Sequence, residues 1–239
     1  MASKLKLKDK SYNFLTNPKT IKISLYLSFL TFIPILIIGI FVAQLDPDGY
    51  NFVDNFISDL GSFNHTPAPY IWDYGQIITS LLLVPFAFYM EKQIAPFPEK
   101  IEDLKNCSRM RFRLSSAGLI WMLIGLIGLF GVGLFSEDRS DILAPIGLMN
   151  LHGLFSLVVF LGIGIAAVFY GLGIAFYNTI IPKSLGIFMI FFPFTLAVIY
   201  FSTMIILLEW ILLLSLFIWI IPSALIFIKF ANTQLNLKL

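Results

Sequence analysis

Six long apolar runs separated by short polar stretches divide the chain, at approximately 21–45, 71–90, 114–135, 148–177, 184–207 and 210–229. An α-helix rises about 1.5 Å per residue, so some twenty apolar residues cross a hydrocarbon core of about 30 Å. The pattern predicts an all-α, polytopic transmembrane helical bundle of six spans over 21–229, with a basic tail at 1–20 and a second tail at 230–239. The last two runs form one apolar stretch interrupted by Glu209. A single helix of that length would overshoot the membrane, so the chain is expected to turn near Leu208 to Ile211. Pro34, Pro85, Pro193 and Pro222 fall inside runs and should kink them, with neighbouring helices resatisfying the freed carbonyls.

A shorter pattern lies between the first two runs. Phe52, Val53, Phe56, Ile57 and Leu60 recur at helical spacing, with Asn51, Asp54, Asn55, Ser58 and Asp59 in the complementary positions. This predicts an amphipathic connector helix over 51–60, its apolar face in the lipid interface or against the bundle. Asp54 and Ser58, like Asn55 and Asp59, are four apart and share a face. Gly61 suits a left-handed stop at its end.

Charge gives the orientation. Of sixteen Lys and Arg residues, all but Arg139 fall in segments that alternate with the runs: the first tail, the loop with Lys92, Lys100, Lys105, Arg109, Arg111 and Arg113, the turn at Lys183, and the last tail. Nine of the fourteen acids, Asp46, Asp48, Asp54, Asp59, Asp73, Glu137, Asp138, Asp141 and Glu209, fall on the other side. By the positive-inside rule the basic side, with both termini, is cytoplasmic. The first run is nearly twice the 7–15 residues of a signal-peptide core and is read as a retained span. The expected location is the plasma membrane.

Composition excludes several classes. Only 13% of residues are charged, against about a quarter in soluble domains. The single cysteine, Cys107, allows neither an intramolecular disulfide nor a cysteine metal cage. Asp46-Pro-Asp-Gly-Tyr-Asn51 has the first two acids of a calcium loop but falls out of register after them. Asn64-His-Thr66 is a short glycosylation sequon followed by Pro67 and carries no weight. Gly118, Gly125, Gly128, Gly131 and Gly133 in span 3, and Gly162, Ala166, Ala167, Gly171 and Ala175 in span 4, allow close helix packing. That packing is expected inside the bundle, with a homo-oligomer through the same faces as the alternative.

The candidate chemistry gathers at the acidic side. Asp73 and Gln76 open span 2, His152 opens span 4 with Ser156 one turn below, and Glu209 stands at the expected hairpin. Ionisable groups at the edge of hydrocarbon need partners. Ser58, Asp59, Asp73, Asp138 and His152 are therefore expected to line one ligand-binding pocket. The string Ile57-Ser-Asp-Leu-Gly61, then Trp72-Asp-Tyr-Gly75, then Gly133-Leu-Phe135 with Asp138 and His152-Gly153, resembles a prokaryotic six-span membrane family of unknown function. It is also similar to the eukaryotic DRAM/Sfk-type membrane proteins. The resemblance implies lipid handling and points to Ser58, Asp59, Gly61, Asp138 and His152.

Function classes separate on residue types. A metal-dependent lipid hydrolase wants three or more ligands, and the chain has only His65 and His152 as histidines. A metal-free hydrolase or acyl transferase could use Ser58 with His152 as base, without a nucleophile-elbow signature. A transporter usually carries ionisable groups deep in its spans; here Thr195, Tyr200, Ser202 and Thr203 are the most polar cluster. The leading expectation is a lipid-associated membrane protein binding a lipid head group or a partner in the Ser/Asp/His pocket. No metal, cofactor or nucleic acid is expected.

Overall fold

The computed structural model describes residues 10–97, 108–143 and 150–237. Cys107, Lys100, Lys105, Lys238, the lysines of residues 1–9 and the start of the expected fourth span at 148 lie outside the described residues. Six helical segments are long and apolar enough to cross a membrane. Span 1 is helix α1 (Pro18–Ala43); span 2 is α2 (Tyr70–Leu82) continued by α3 (Val84–Ile94); span 3 is α4 (Arg109–Leu134). A short α5 (Glu137–Leu143) precedes span 4, α6 (Leu151–Phe176). Span 5 is α7 (Lys183–Thr203) and span 6 is α8 (Ile206–Asn236). The described residues contain no strand.

Each span packs on the next in sequence, and span 6 closes back on span 1, so the helices form a ring in chain order. Spans 3 and 4 make the tightest seam. A Cβ on Gly125 would lie 2.8 Å from the Ile163 amide nitrogen, and one on Gly128 would lie 2.6 Å from that of Val159. Glycine here serves backbone approach, since helices in lipid associate by packing. The small-residue faces are thus occupied within one chain. Span 4 has 61% of its most apolar window buried and span 1 only 17%, so span 1 is the least enclosed of the six.

Of the four prolines, only Pro85 stands at a break in the helix, at Leu83 between α2 and α3; Pro34, Pro193 and Pro222 lie within continuous helices. The Ser24 hydroxyl of span 1 donates to the Leu82 carbonyl beside the break, the neighbour rescue that lipid demands.

Two expectations are corrected. The turn between spans 5 and 6 lies at Met204 and Ile205, earlier than expected, with Met204 left-handed at φ 53°. Glu209 consequently belongs to the first turn of span 6, where an acid suits the helix dipole. Residues 51–60 are also not an α-helix: a turn at 52–54 leads into a 3-10 helix, Ile57–Gly61. Side chains take the amides that an α-helix would use. Asn51 Oδ1 accepts from the Val53 and Asp54 amides, and Asp59 Oδ2 from Phe56. Such local bonds compete with the helical ladder. Ile57 and Leu60 are buried as expected, while Phe52 and Val53 are exposed. Gly61 has no left-handed φ; it is glycine because a Cβ would lie 2.7 Å from Asp73 Oδ1.

Candidate functional site

The connector is held over the acidic end of the ring by bonds from distant elements. The Ile57 amide donates to Glu209 Oε2 at 2.8 Å, and the Trp210 indole to the Asn55 carbonyl at 3.0 Å. The Tyr50 hydroxyl donates to the Phe56 carbonyl at 2.7 Å. From the other side, Asp138 on α5 accepts the Ser62 hydroxyl at 2.9 Å and the Phe63 amide at 2.8 Å. Asp73 lies beneath Gly61 and is 3.2 Å from the Arg139 guanidinium. Arg139 also donates to the Gly133 and Leu134 carbonyls, capping the negative end of span 3. That is why one cation stands on the acidic side: it neutralises a buried carboxylate and a helix terminus together.

His152 completes this framework. Its Nδ1 lies 3.1 Å from the Phe135 carbonyl, so that nitrogen carries the proton, and among the described residues the buried Nε2 has no partner. Its backbone amide donates to Ser140 Oγ at 3.3 Å. Asp59 is buried and accepts the Asn55 side-chain amide at 3.4 Å besides the Phe56 amide.

Beneath the connector, inside the ring, is a half-enclosed cavity of about 110 Å³ that is partly open to the outside. Its acidic end is polar, with Ser58, Trp72, Gln76, Ser156 and Glu209, and Thr79 lies deeper. Apart from Ser28 on span 1, the remaining wall is apolar, from Phe29, Phe32, Leu83, Ile163, Leu216 and Ile220 among others. Spans 1, 2, 3, 4 and 6 all contribute.

The five expected pocket residues therefore divide. Ser58 lines the cavity. Asp59, Asp73, Asp138 and His152 stand outside its wall, where they fix the connector, α5 and the ends of spans 2 to 4. The physical reason is that buried carboxylates at a helix end bind the backbone amides and the guanidinium nearest to them. Among the described residues, no three His, Cys, Asp or Glu side chains form a group that could hold a metal ion. Trp72 and Thr79 were not in the expected pocket. Together with Gln76 they repeat at i, i+4 and i+7, a polar stripe down an apolar span that sequence alone displays.

Burial raises the Asp59 carboxyl above its ordinary value of 3.8, against the opposing pull of His65, the Phe56 amide, Asn55 and His152. Glu137 is raised too, by burial and then by Asp59. A carboxyl raised in the folded state binds more protons there than when unfolded, so stability falls as pH rises through the window above 3.8. Other ionisable groups acting with Asp59 at this end are Tyr50, Tyr200 and Glu209. Asp59→Asn, whose carbonyl still accepts from Phe56, is expected to flatten the fall between pH 4 and 7 (~3 pH units spanning the ordinary carboxylate range). Thermal melts of the purified protein across that range check it; an unchanged slope would assign the dependence to other acids.

No protein-family model, curated protein or solved structure matches the chain. The fold and site define its class: an integral, multi-pass α-helical membrane protein with an internal cavity closed at one end by a pinned connector.

Proposed function

We propose that the protein is a lipid-binding component of the plasma membrane, with its acidic end facing outward and a lipid head group held in the cavity beneath the connector. The cavity carries the proposal: its wall is largely apolar, and most of its polar side chains, Ser58, Gln76, Ser156 and Glu209 among them, lie toward the connector, an arrangement suited to a lipid. The Ile57–Gly61 and Trp72–Gly75 strings, which resemble those of DRAM/Sfk-type proteins, also favour lipid handling. Ser58 faces the cavity while His152 bonds Phe135 outside it, so a Ser–His hydrolase has less support than binding.

Lipids that co-purify with the protein in mild detergent test the proposal. Ser156→Trp would fill the polar end from span 4, and the variant is expected to lose a stoichiometric lipid that the native protein retains. Equal lipid in both folded proteins would refute a cavity site.

Orientation has its own test. In a Cys107→Ser background, cysteines at the exposed positions Asp48 and Asn64 should react with an impermeant thiol reagent added to intact cells, and one at exposed Lys183 should not. The reverse labelling pattern would invert the topology.

A further inference from the structure

We propose that the occupant is an uncharged, hydroxyl-bearing glycerolipid of the mono- or diacylglycerol class, and not a phospholipid. The inference rests on the cavity being a lipid site and names what fills it.

Charge makes the first selection. Among the described residues, Glu209 is the one ionisable side chain on the cavity wall, and no Lys, Arg or His joins it. Phosphate recognition relies on guanidinium, ammonium or converging backbone amides. A phosphate here would meet a carboxylate at low dielectric with no cation beside it. An uncharged head avoids that cost.

Unmet hydrogen-bonding capacity makes the second. Trp72 and Thr79 are 4% and 3% exposed, and both line the cavity. Among the described residues, neither Trp72 Nε1 nor Thr79 Oγ1 has a hydrogen-bond partner. Buried polar groups in native proteins are nearly always bonded to something, so two orphans on one cavity wall point to a missing partner. An indole N–H can only donate. The occupant must therefore bring an acceptor, and an ester carbonyl is an uncharged acceptor that glycerolipids carry beside their hydroxyls. At the same end, Glu209 and Ser58 can accept from those hydroxyls.

Dimensions and access agree. From Trp72 to Thr79 the stripe descends about 10 Å along span 2, room for a glycerol unit and its ester. Below it, Leu83, Ile163, Leu216 and Ile220 offer an acyl chain an apolar bed. Ile33 on span 1 is the one exposed residue of the lining, while Phe217 and Ile221 across the seam on span 6 are half-buried. The seam of spans 1 and 6 is thus the side from which a lipid reaches the cavity, without crossing the connector.

The matched probes are 1-monooleoylglycerol and 1-oleoyl-lysophosphatidic acid, which share chain, ester and glycerol and differ by the phosphate. Binding is read as a saturable rise in thermal midpoint of the full-length protein in micelles. Monooleoylglycerol should bind about tenfold more tightly than the phosphate probe. Thr79→Val, close to isosteric, and Trp72→Phe should each weaken it about fivefold; if Trp72→Phe fails to fold, Thr79→Val alone decides. Equal or tighter binding of the phosphate probe would overturn the glyceride assignment and leave the lipid-site reading standing. Unchanged monooleoylglycerol affinity in the variants would also overturn the assignment. No saturable binding of either probe, or binding indifferent to Ser156→Trp, would overturn both.

Discussion

Gly128→Ala is expected to destabilise the bundle by about 3 kcal/mol, the upper part of the range for overpacking a tight interior. The added methyl would lie 2.6 Å from the Val159 nitrogen and 3.0 Å from the Val158 carbonyl carbon. Both are backbone atoms of span 4, so no rotamer change relieves the clash and the seam must part. Gly39→Ala is the control, because a Cβ there meets only the Leu60 side chain at an ordinary 3.7 Å. Equilibrium unfolding in mixed micelles of increasing dodecyl sulfate measures both. A Gly128→Ala protein as stable as Gly39→Ala would show that spans 3 and 4 do not touch through their backbones.

The second large effect is expected at Arg139. Asp73 has 4% of its side chain exposed and Arg139 has 40%, so truncating the arginine strands the buried partner. Arg139→Met should cost about 3 kcal/mol, the low end for leaving a buried charge unpaired, since the exposed arginine is partly screened. It also uncovers the Gly133 and Leu134 carbonyls at the end of span 3. Adding Asp73→Asn removes the stranded charge and should restore about 1–2 kcal/mol, within the usual coupling of contacting residues. The same unfolding assay, run as a double-mutant cycle, gives this term. Additive losses would mean that the two side chains do not act as a pair.

The six spans are legible in the sequence because crossing a bilayer imposes one requirement, about twenty apolar residues, that each run meets by itself. Their ring order was not read, although the short connections are compatible with it. The connector escapes the periodicity because side chains take its amides. Its apolar spacing is helical, yet Asn51 and Asp59 withdraw its amides locally, and Glu209 takes the Ile57 amide from 152 residues away. Periodicity records neither kind of bond. The acidic-side residues were legible as a group, but not their division of labour: four of the five expected ligands fasten loops, and only Ser58 reaches the cavity. Trp72, Gln76 and Thr79 were legible as a helical stripe. Their role depends on the empty space in front of them, which no sequence shows.

Met204 sets the mechanics of this ring. Two non-helical residues join spans 5 and 6, and a non-glycine residue in the left-handed region costs about 1–2 kcal/mol. A turn that short holds the ends of the last two helices close together. Span 1 is built the other way, thinly buried and followed by the long segment 44–69 before span 2 begins. Of the two helices flanking the bilayer-facing seam, span 6 is therefore tied to its neighbour by a two-residue turn, and span 1 to its neighbour through the connector segment. The pinned connector is thus the lintel that ties span 1 to the far side of the ring, through Glu209, Trp210 and Asp138.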